Sequence, residues 1–409
     1  VPGVDGRHRI YPLVVGGVAA VLWFATSVRS APAGAATAED GPVVDQPATA
    51  TAQAERLPGP PATRQLTVLM SGEVLNENPV NDAGARYAPP GARYDFAPVF
   101  APVAPIVAAA DLAVCHAEIP LGRPGEPPGN FGRSLNGGNL LRGPYEVAAG
   151  LAATGFDRCS TASNHAYDRG QPGVISTIDA LTAAGISAAG TARTPAEATD
   201  ISRAIITVAG VRVAHLAYTR HHNTAAPPEW AVHWARSPAQ VAADVAAVRA
   251  AGAELVIVSL HTRKEMLTAP LPTDRQFAID LLALTHIDLL AHHGAHVVQP
   301  MEWIGTTPVY WSLGNFVSGM GRPGATGRAA DLRTLDGLLA RVRFREVAPG
   351  MFVADPQHVL VCNERAARTV RAPVPMLADA AQAGALPVWL RAELQACIDR
   401  TRPVVPDAI

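Results

Sequence analysis

Lysine is nearly missing from this chain: Lys264 is the only one among 33 lysines and arginines. With a formal net charge of -2 and no run of like charges, nothing in the electrostatics argues for a nucleic-acid partner. Aromatic residues make up only 5% of the chain. Close-spaced cysteines are missing too, since Cys115, Cys159, Cys362 and Cys397 stand far apart, and this excludes the paired-cysteine zinc motifs. Ser163 lacks the Gly-x-Ser-x-Gly context of a nucleophile elbow, so a serine hydrolase has no support. There is no internal repeat. What is present is a large apolar fraction, 48% of 409 residues, enough for a substantial core with extensions.

The first segment looks like an export element. Arg7, His8 and Arg9 precede an apolar stretch from Ile10 to Val28, and Ala33-Gly34-Ala35 follows as a candidate cleavage site. The stretch approaches the roughly 20 residues that span a bilayer core, so residues 1-30 read as a signal peptide or an uncleaved anchor. Residues 31-64, rich in Ala, Pro, Thr and Gly, have the composition of a flexible linker. An even number of cysteines agrees with an oxidising, extracytoplasmic setting. Of the three pairings open to four cysteines, Cys115 with Cys159 and Cys362 with Cys397 is favoured, because Cys115 and Cys159 both end strand-like runs that parallel pairing would bring together.

From Gln65 the chain alternates apolar strand-like runs with helical spacing. Leu66 to Met70, Asp111 to His116, Arg158 to Ala162, Leu255 to Leu260, Ile287 to Ala291 and Pro308 to Leu313 read as strands. Ala101 to Ala110, Pro144 to Ala153, Gly173 to Ala184, Pro238 to Ala251 and Asp274 to Leu284 read as helices. Hairpins are expected at Ala209-Gly210 and Pro349-Gly350. The expected organisation is an α/β domain over residues 65-378, then residues 379-409 with one amphipathic helix from Asp379 to Arg400. The prolines from Pro124 to Pro128 and Gly137-Gly138 suggest a mobile loop.

In open α/β sheets functional side chains gather beyond the carboxyl ends of strands. Here those positions hold Gly72-Glu73, His116-Ala117-Glu118, Ser163-Asn164-His165, His261 and the run from His292 through His293 and Gly294 to His296. Oxygen and imidazole donors arriving on separate loops are what a divalent-metal or phosphate site requires.

The segment Thr161 to Gly170, TASNHAYDRG, resembles the SNH-x-x-D-x-G signature of the CapA family of poly-γ-glutamate capsule biosynthesis proteins. His296 to Pro300 and Tyr310 to Val317 resemble its HVVQ and YSLGNF segments. The resemblance implies a calcineurin-like metallophosphoesterase sandwich of two mixed sheets flanked by helices, with ligands on post-strand loops. It also implies a role in making, moving or anchoring an envelope polymer. Carried over residue by residue, Asn164 and His165 match in full. Glu73 stands where the family has Asp, and His116 where it has Asn beside the retained Glu118. His261 is followed by Thr262-Arg263 instead of Trp-Gly, with Glu265 further on. Gly294 takes the first place of a final His-x-His whose second is His296.

The metal ligands so implied are Glu73, Glu118, Asn164, His165, His261 and His296, with His116 or His293 compensating; Asn164, His165 and His261 would also act in catalysis. Carboxylates with imidazoles suit Mn, Fe or Zn better than Mg or Ca. The expected partners are an anionic polymer or a phosphorylated or γ-glutamyl substrate, the membrane through the N-terminal segment, and a capsule-synthesis membrane complex. The enzyme type left open is a metal-dependent hydrolase or a ligase-associated protein. The rivals are a general extracellular phosphoesterase and a non-catalytic polymer-binding or assembly subunit.

Overall fold

A computed structural model describes residues 63–262, 264–321 and 331–409, all within one compact unit, Pro60–Ile409. The expected export segment and almost all of the linker lie outside the described residues. Among the described residues no helix is long and apolar enough to cross a membrane.

In chain order the strands are β1 (Gln65–Leu75), β2 (Leu112–Ala117), β3 (Gly129–Arg133), β4 (Asn139–Arg142), β5 (Arg158–Ser160), β6 (Ser187–Ala189), β7 (Ile205–Val208) and β8 (Val211–Thr219). They continue with β9 (Leu255–His261), β10 (Leu289–His293), β11 (Met301–Ile304), β12 (Thr307–Tyr310), β13 (Asn315–Ser318), β14 (Asp336–Ala348), β15 (Met351–Asn363) and β16 (Val370–Arg371). One sheet runs β16-β15-β14-β1-β2-β5-β6, with β13 also paired to β1; the second runs β11-β12-β10-β9-β8-β7. Both are mixed. β1, β2, β5 and β6 are mutually parallel, as are β8, β9, β10 and β12, while β14 to β16, β7 and β11 run antiparallel to their neighbours.

Strand alternation builds the layers. Leu66, Val68 and Met70 of β1 point towards the second sheet and pack with Val211, Val213, Leu255 and Ile257. Leu69 points the other way, into a core with Val99, Phe100, Leu151, Val174 and Ile178 from the helical segments outside the first sheet. Helices Pro238–Ala250 and Pro272–Leu284 cover the second sheet through Val241, Val245, Val248, Phe277 and Leu281. The order is therefore helix, sheet, sheet, helix.

Both hairpins form as read, and both cysteine pairs are disulfides: Cys115 and Cys159 are register partners on β2 and β5, and Cys362 on β15 holds Cys397. Three local readings change. Ala101 to Ala110 is a 3-10 turn, Ala101–Val103, and one short helix, Ala104–Val107, because Pro102 and Pro105 break the hydrogen-bond ladder. The C-terminal helix is split into Ala380–Ala385 and Val388–Thr401, since Pro387 forces Leu386 into the extended region. The proline- and glycine-rich segment carries the β3-β4 hairpin, its register broken between Asn130 and Arg133; that break hides the alternation by which a hairpin is read.

Two glycines set how closely the first sheet closes on itself. A Cβ on Gly72 would lie 2.1 Å from the Gly314 carbonyl oxygen, and Gly314 itself has φ +61°. Gly72→Ala must push β1 off the 312–315 turn, and we expect a loss of about 1–3 kcal/mol, read as a lowered denaturant midpoint.

Between the sheets, Arg158 Nε donates to His215 Nδ1 at 3.2 Å, leaving Nε2–H for Ser259 Oγ at 2.9 Å. Burial, with the Arg158 charge adding to it, holds this imidazole well below its ordinary value. The unfolded chain therefore takes up the proton first, so the contribution is complete above a pH of about 6.5 and is lost as pH falls below it. Urea midpoints should drop on acidification, and His215→Gln should flatten that slope by about one proton, roughly 1.4 kcal/mol per pH unit. An unchanged slope would mean that His215 is already charged when folded.

Candidate functional site

The parallel registers line the candidate residues up in rows. Glu73 is paired with His116 and with Asn315, His116 with Ser160, and His261 with both Thr219 and His293. Carboxyl ends of both sheets thus open on one cleft. Glu73 lies inside β1, which runs on to Leu75, and not beyond its end.

Glu73, Glu118 and His296, all buried, each offer a ligand atom within 4.8 Å of the others. His296 Nδ1 is 3.7 Å from Glu73 Oε2, and its Nε2 is 3.6 Å from Glu118 Oε1, attractive distances longer than hydrogen bonds. His296 is aimed by Asn315, whose Oδ1 lies 3.1 Å from Nδ1, and sits at φ +57°, a left-handed backbone rare outside glycine. Glu73 Oε1 accepts the Gly294 N–H at 2.6 Å.

Three imidazoles form a second group. His116 Nε2 is 3.0 Å from His261 Nδ1, His116 Nδ1 is 3.1 Å from Ser160 Oγ, and the His116 ring stacks on His293 at 4.0 Å. His293 Nδ1 is 4.0 Å from Glu73 Oε1, which joins this group to the carboxylates. His261 therefore approaches the carboxylates through its imidazole neighbours. A third group stands on the loop after β5: His165 Nδ1 meets Asp168 Oδ2 at 2.5 Å, while Asn223 bonds Asn164 at 3.3 Å and the His165 ring at 3.2 Å. Ser163 Oγ donates to the Glu118 carbonyl at 2.6 Å and ties that loop to the carboxylates.

The protonation pattern follows from burial. Glu118 is pushed up to about 7, first by burial and further by Glu73, against the pull of His296 and His165. Burial disfavours charge on His296, but Glu118 and Glu73 outweigh it and raise its pKa well above the ordinary value. Asp168 likewise outweighs burial at His165 and raises it. His116 and His261 are held well below their ordinary value by burial and by neighbouring imidazoles, and His293 by burial to about 4. The cleft thus holds neutral imidazoles beside a carboxyl poised near neutrality.

Several buried donors and acceptors lack a hydrogen-bond partner: Glu73 Oε2, both Glu118 oxygens, Asn164 Oδ1 and both His293 nitrogens. Orphaned buried carboxylate oxygens cost several kcal/mol in roughly any protein interior, and their convergence fits a hard or borderline cation. Such an ion could take Glu73 Oε2, Glu118 and His296, with Asn164 and His293 offering further donors.

Sequence reasoning missed Asn223, directly after the His221-His222 pair in an irregular loop, and gave Asp168 no role although it stands in the quoted signature. It also missed Glu77, half-buried, with its carboxyl raised by burial and opposed by the His296 and His165 charges. No periodic pattern marks any of the three.

Comparison with solved structures finds a phosphatase from Mycoplasma pneumoniae, 13% identical with a TM-score of 0.39 over 73% of this chain and 94% of that one. A calcineurin-like phosphoesterase from Bacillus subtilis is 12% identical with a TM-score of 0.40, over 83% and 97% respectively. Both likenesses are remote. Two curated proteins of Mycobacterium tuberculosis strains, each called a probable polyglutamine synthesis accessory protein, are 31% identical over 173 residues, 39% of this chain. The chain spans 44% of the length of those relatives. Residues 67–320, which hold every candidate ligand, match the model described as bacterial capsule synthesis protein PGA_cap, and the chain belongs to that family.

Proposed function

We propose that this chain serves the synthesis of a bacterial capsule or related envelope polymer, of the γ-linked polyglutamate type, through a site that binds a divalent metal. The observation that carries this reading is the convergence of Glu73, Glu118 and His296 within 4.8 Å, with carboxylate oxygens left unpartnered, inside the segment that defines the family. Family membership supports a capsule polymer, and the curated names, which say polyglutamine, support one built of amino acids; the donor set supports Mn, Fe or Zn. Export to the cell envelope is proposed from the basic and apolar N-terminal residues and agrees with two disulfides.

A bound ion would polarise a phosphoryl or acyl group, or lower the pKa of a water molecule. The residues supply the rest. Asp168 Oδ2, 2.5 Å from His165 Nδ1, raises the pKa of that imidazole and so favours a proton there for a leaving group. Asn164 donates to Asn223 Oδ1 beside the His165 ring, and the two amides can offer N–H groups to a substrate oxygen. The His116–His261 pair is neutral, one ring donating to the other across 3.0 Å, so it brings no charge to the site.

The deciding measurement is elemental analysis after exposure to Mn, Fe and Zn. We expect about one ion per chain, lost in Glu118→Gln and His296→Ala. A wild-type protein without metal would remove the catalytic reading and leave a polymer-binding or assembly role. With metal retained, Asp168→Asn should lower turnover on a phosphoester or γ-glutamyl substrate by about 10- to 100-fold without changing the metal content. Equal turnover would take His165 out of the chemistry.

A further inference from the structure

We propose that the cavity beside β6 and β8 binds a protonated primary amine carried by a small organic molecule. This cavity, about 600 Å³, is lined by neither Glu73, Glu118 nor His296, and its volume is that of an ordinary small-molecule site. It is separate from the metal reading and does not depend on it.

The charges in its wall select the ligand. Three arginines line it, and each is already engaged. Buried Arg158 gives its guanidinium hydrogens to His215, to Ser187 Oγ at 3.0 Å and to the Arg203 carbonyl at 2.8 Å. Arg203 is held by Glu197, at 3.2 Å from its carbonyl and 3.5 Å from its carboxylate, and Arg236 pairs with Glu229. An anionic ligand would compete with the carboxylates and carbonyls that already hold these arginines.

Asp244 is placed differently. Its two donors, Tyr218 Oη–H and the Gln240 amide, are uncharged, and both bond the same oxygen, Oδ2, at 2.9 Å. Oδ1 receives no hydrogen bond among the described residues. A half-buried carboxylate with one open acceptor and no ion pair among the described residues fits an N–H-bearing cation better than any neutral group. The same cavity presents Tyr218, Trp230 and Trp234, whose ring faces attract a cation, with Trp234 fixed by the edge contact of His222 at 4.8 Å. Burial also lowers His233, so the neighbouring imidazole brings no competing charge. A quaternary ammonium could use the rings but not Oδ1, so the carboxylate favours a primary amine.

The test is calorimetric titration of the full chain with phenethylamine and cadaverine, with choline and glutarate as comparisons. At least one primary amine should bind saturably and more tightly than choline or glutarate. Asp244→Asn, which keeps an acceptor for Tyr218 and Gln240, should weaken it about tenfold, while Glu118→Gln should leave it unchanged. The idea is overturned by failure of both amines to bind, by equal binding of choline or glutarate, or by unaltered affinity in Asp244→Asn. Should that variant not fold, unaltered affinity in both Trp230→Leu and Trp234→Leu would overturn it equally.

Discussion

The contact on which the site depends is the approach of β1 to the turn at residues 312–315. Glu73 N–H donates to the Gly314 carbonyl at 2.9 Å, and no side chain on Gly72 would fit beneath that oxygen. The contact fixes the Glu73 backbone against Asn315, its register partner, and Asn315 in turn aims His296. One backbone hydrogen bond between two glycine-permitted segments therefore sets the direction of two of the three converging side chains. Glu118 joins them because β2 is the other parallel neighbour of β1 and ends one residue earlier.

Burial then makes these side chains interdependent. Removed from water, two carboxylates cannot both carry full charge at short range without a counter-charge. Glu118 accordingly moves towards neutrality while His296 stays protonated between the two acids. A divalent ion would replace that proton with a stronger counter-charge in the same place. The histidines behind it have the opposite bias, since burial and mutual repulsion keep His116 and His261 neutral. Placing lone-pair donors deep in the cleft and the His165–Asp168 imidazolium on the loop beside it separates base from acid without a large structural device.

Much of this was legible in the sequence because parallel α/β chains announce themselves twice, in apolar strand runs and in polar residues just past them. Glu118, His261 and His296 were found by that rule, and the Cys115–Cys159 link by its corollary that neighbouring strands end together. The rule fails where order is not periodic. Asn223 acts from an irregular loop, Glu77 from the start of the short helix Asn78–Tyr87, and the β3–β4 hairpin interrupts its own alternation. Proline density misled in both directions: it marked the 124–128 region as a loop although a hairpin follows, and it did not prevent one helix being read across Pro102 and Pro105 and another across Pro387.

The two departures from the family pattern at Glu73 and Gly294 are best understood as one change. Gly294 has φ +98°, and a Cβ there would lie 2.3 Å from the Thr262 carbonyl oxygen and 3.0 Å from His261 Nε2, so no histidine can stand at that position in this backbone. Its N–H instead points at Glu73 Oε1, and the additional methylene of glutamate over aspartate lets the carboxylate span that gap at 2.6 Å. Oε2 is left facing Glu118 and His296, so the longer acid keeps one donor oxygen in the cluster while its other oxygen holds the 294 turn. One residue earlier His293 stacks on His116, with its Nδ1 4.0 Å from Glu73 Oε1 and no hydrogen bond to either ring nitrogen among the described residues. Histidine at 116 supplies that stacking face, so in this backbone the side chains at 73, 116 and 293 and the bare glycine at 294 depend on one another.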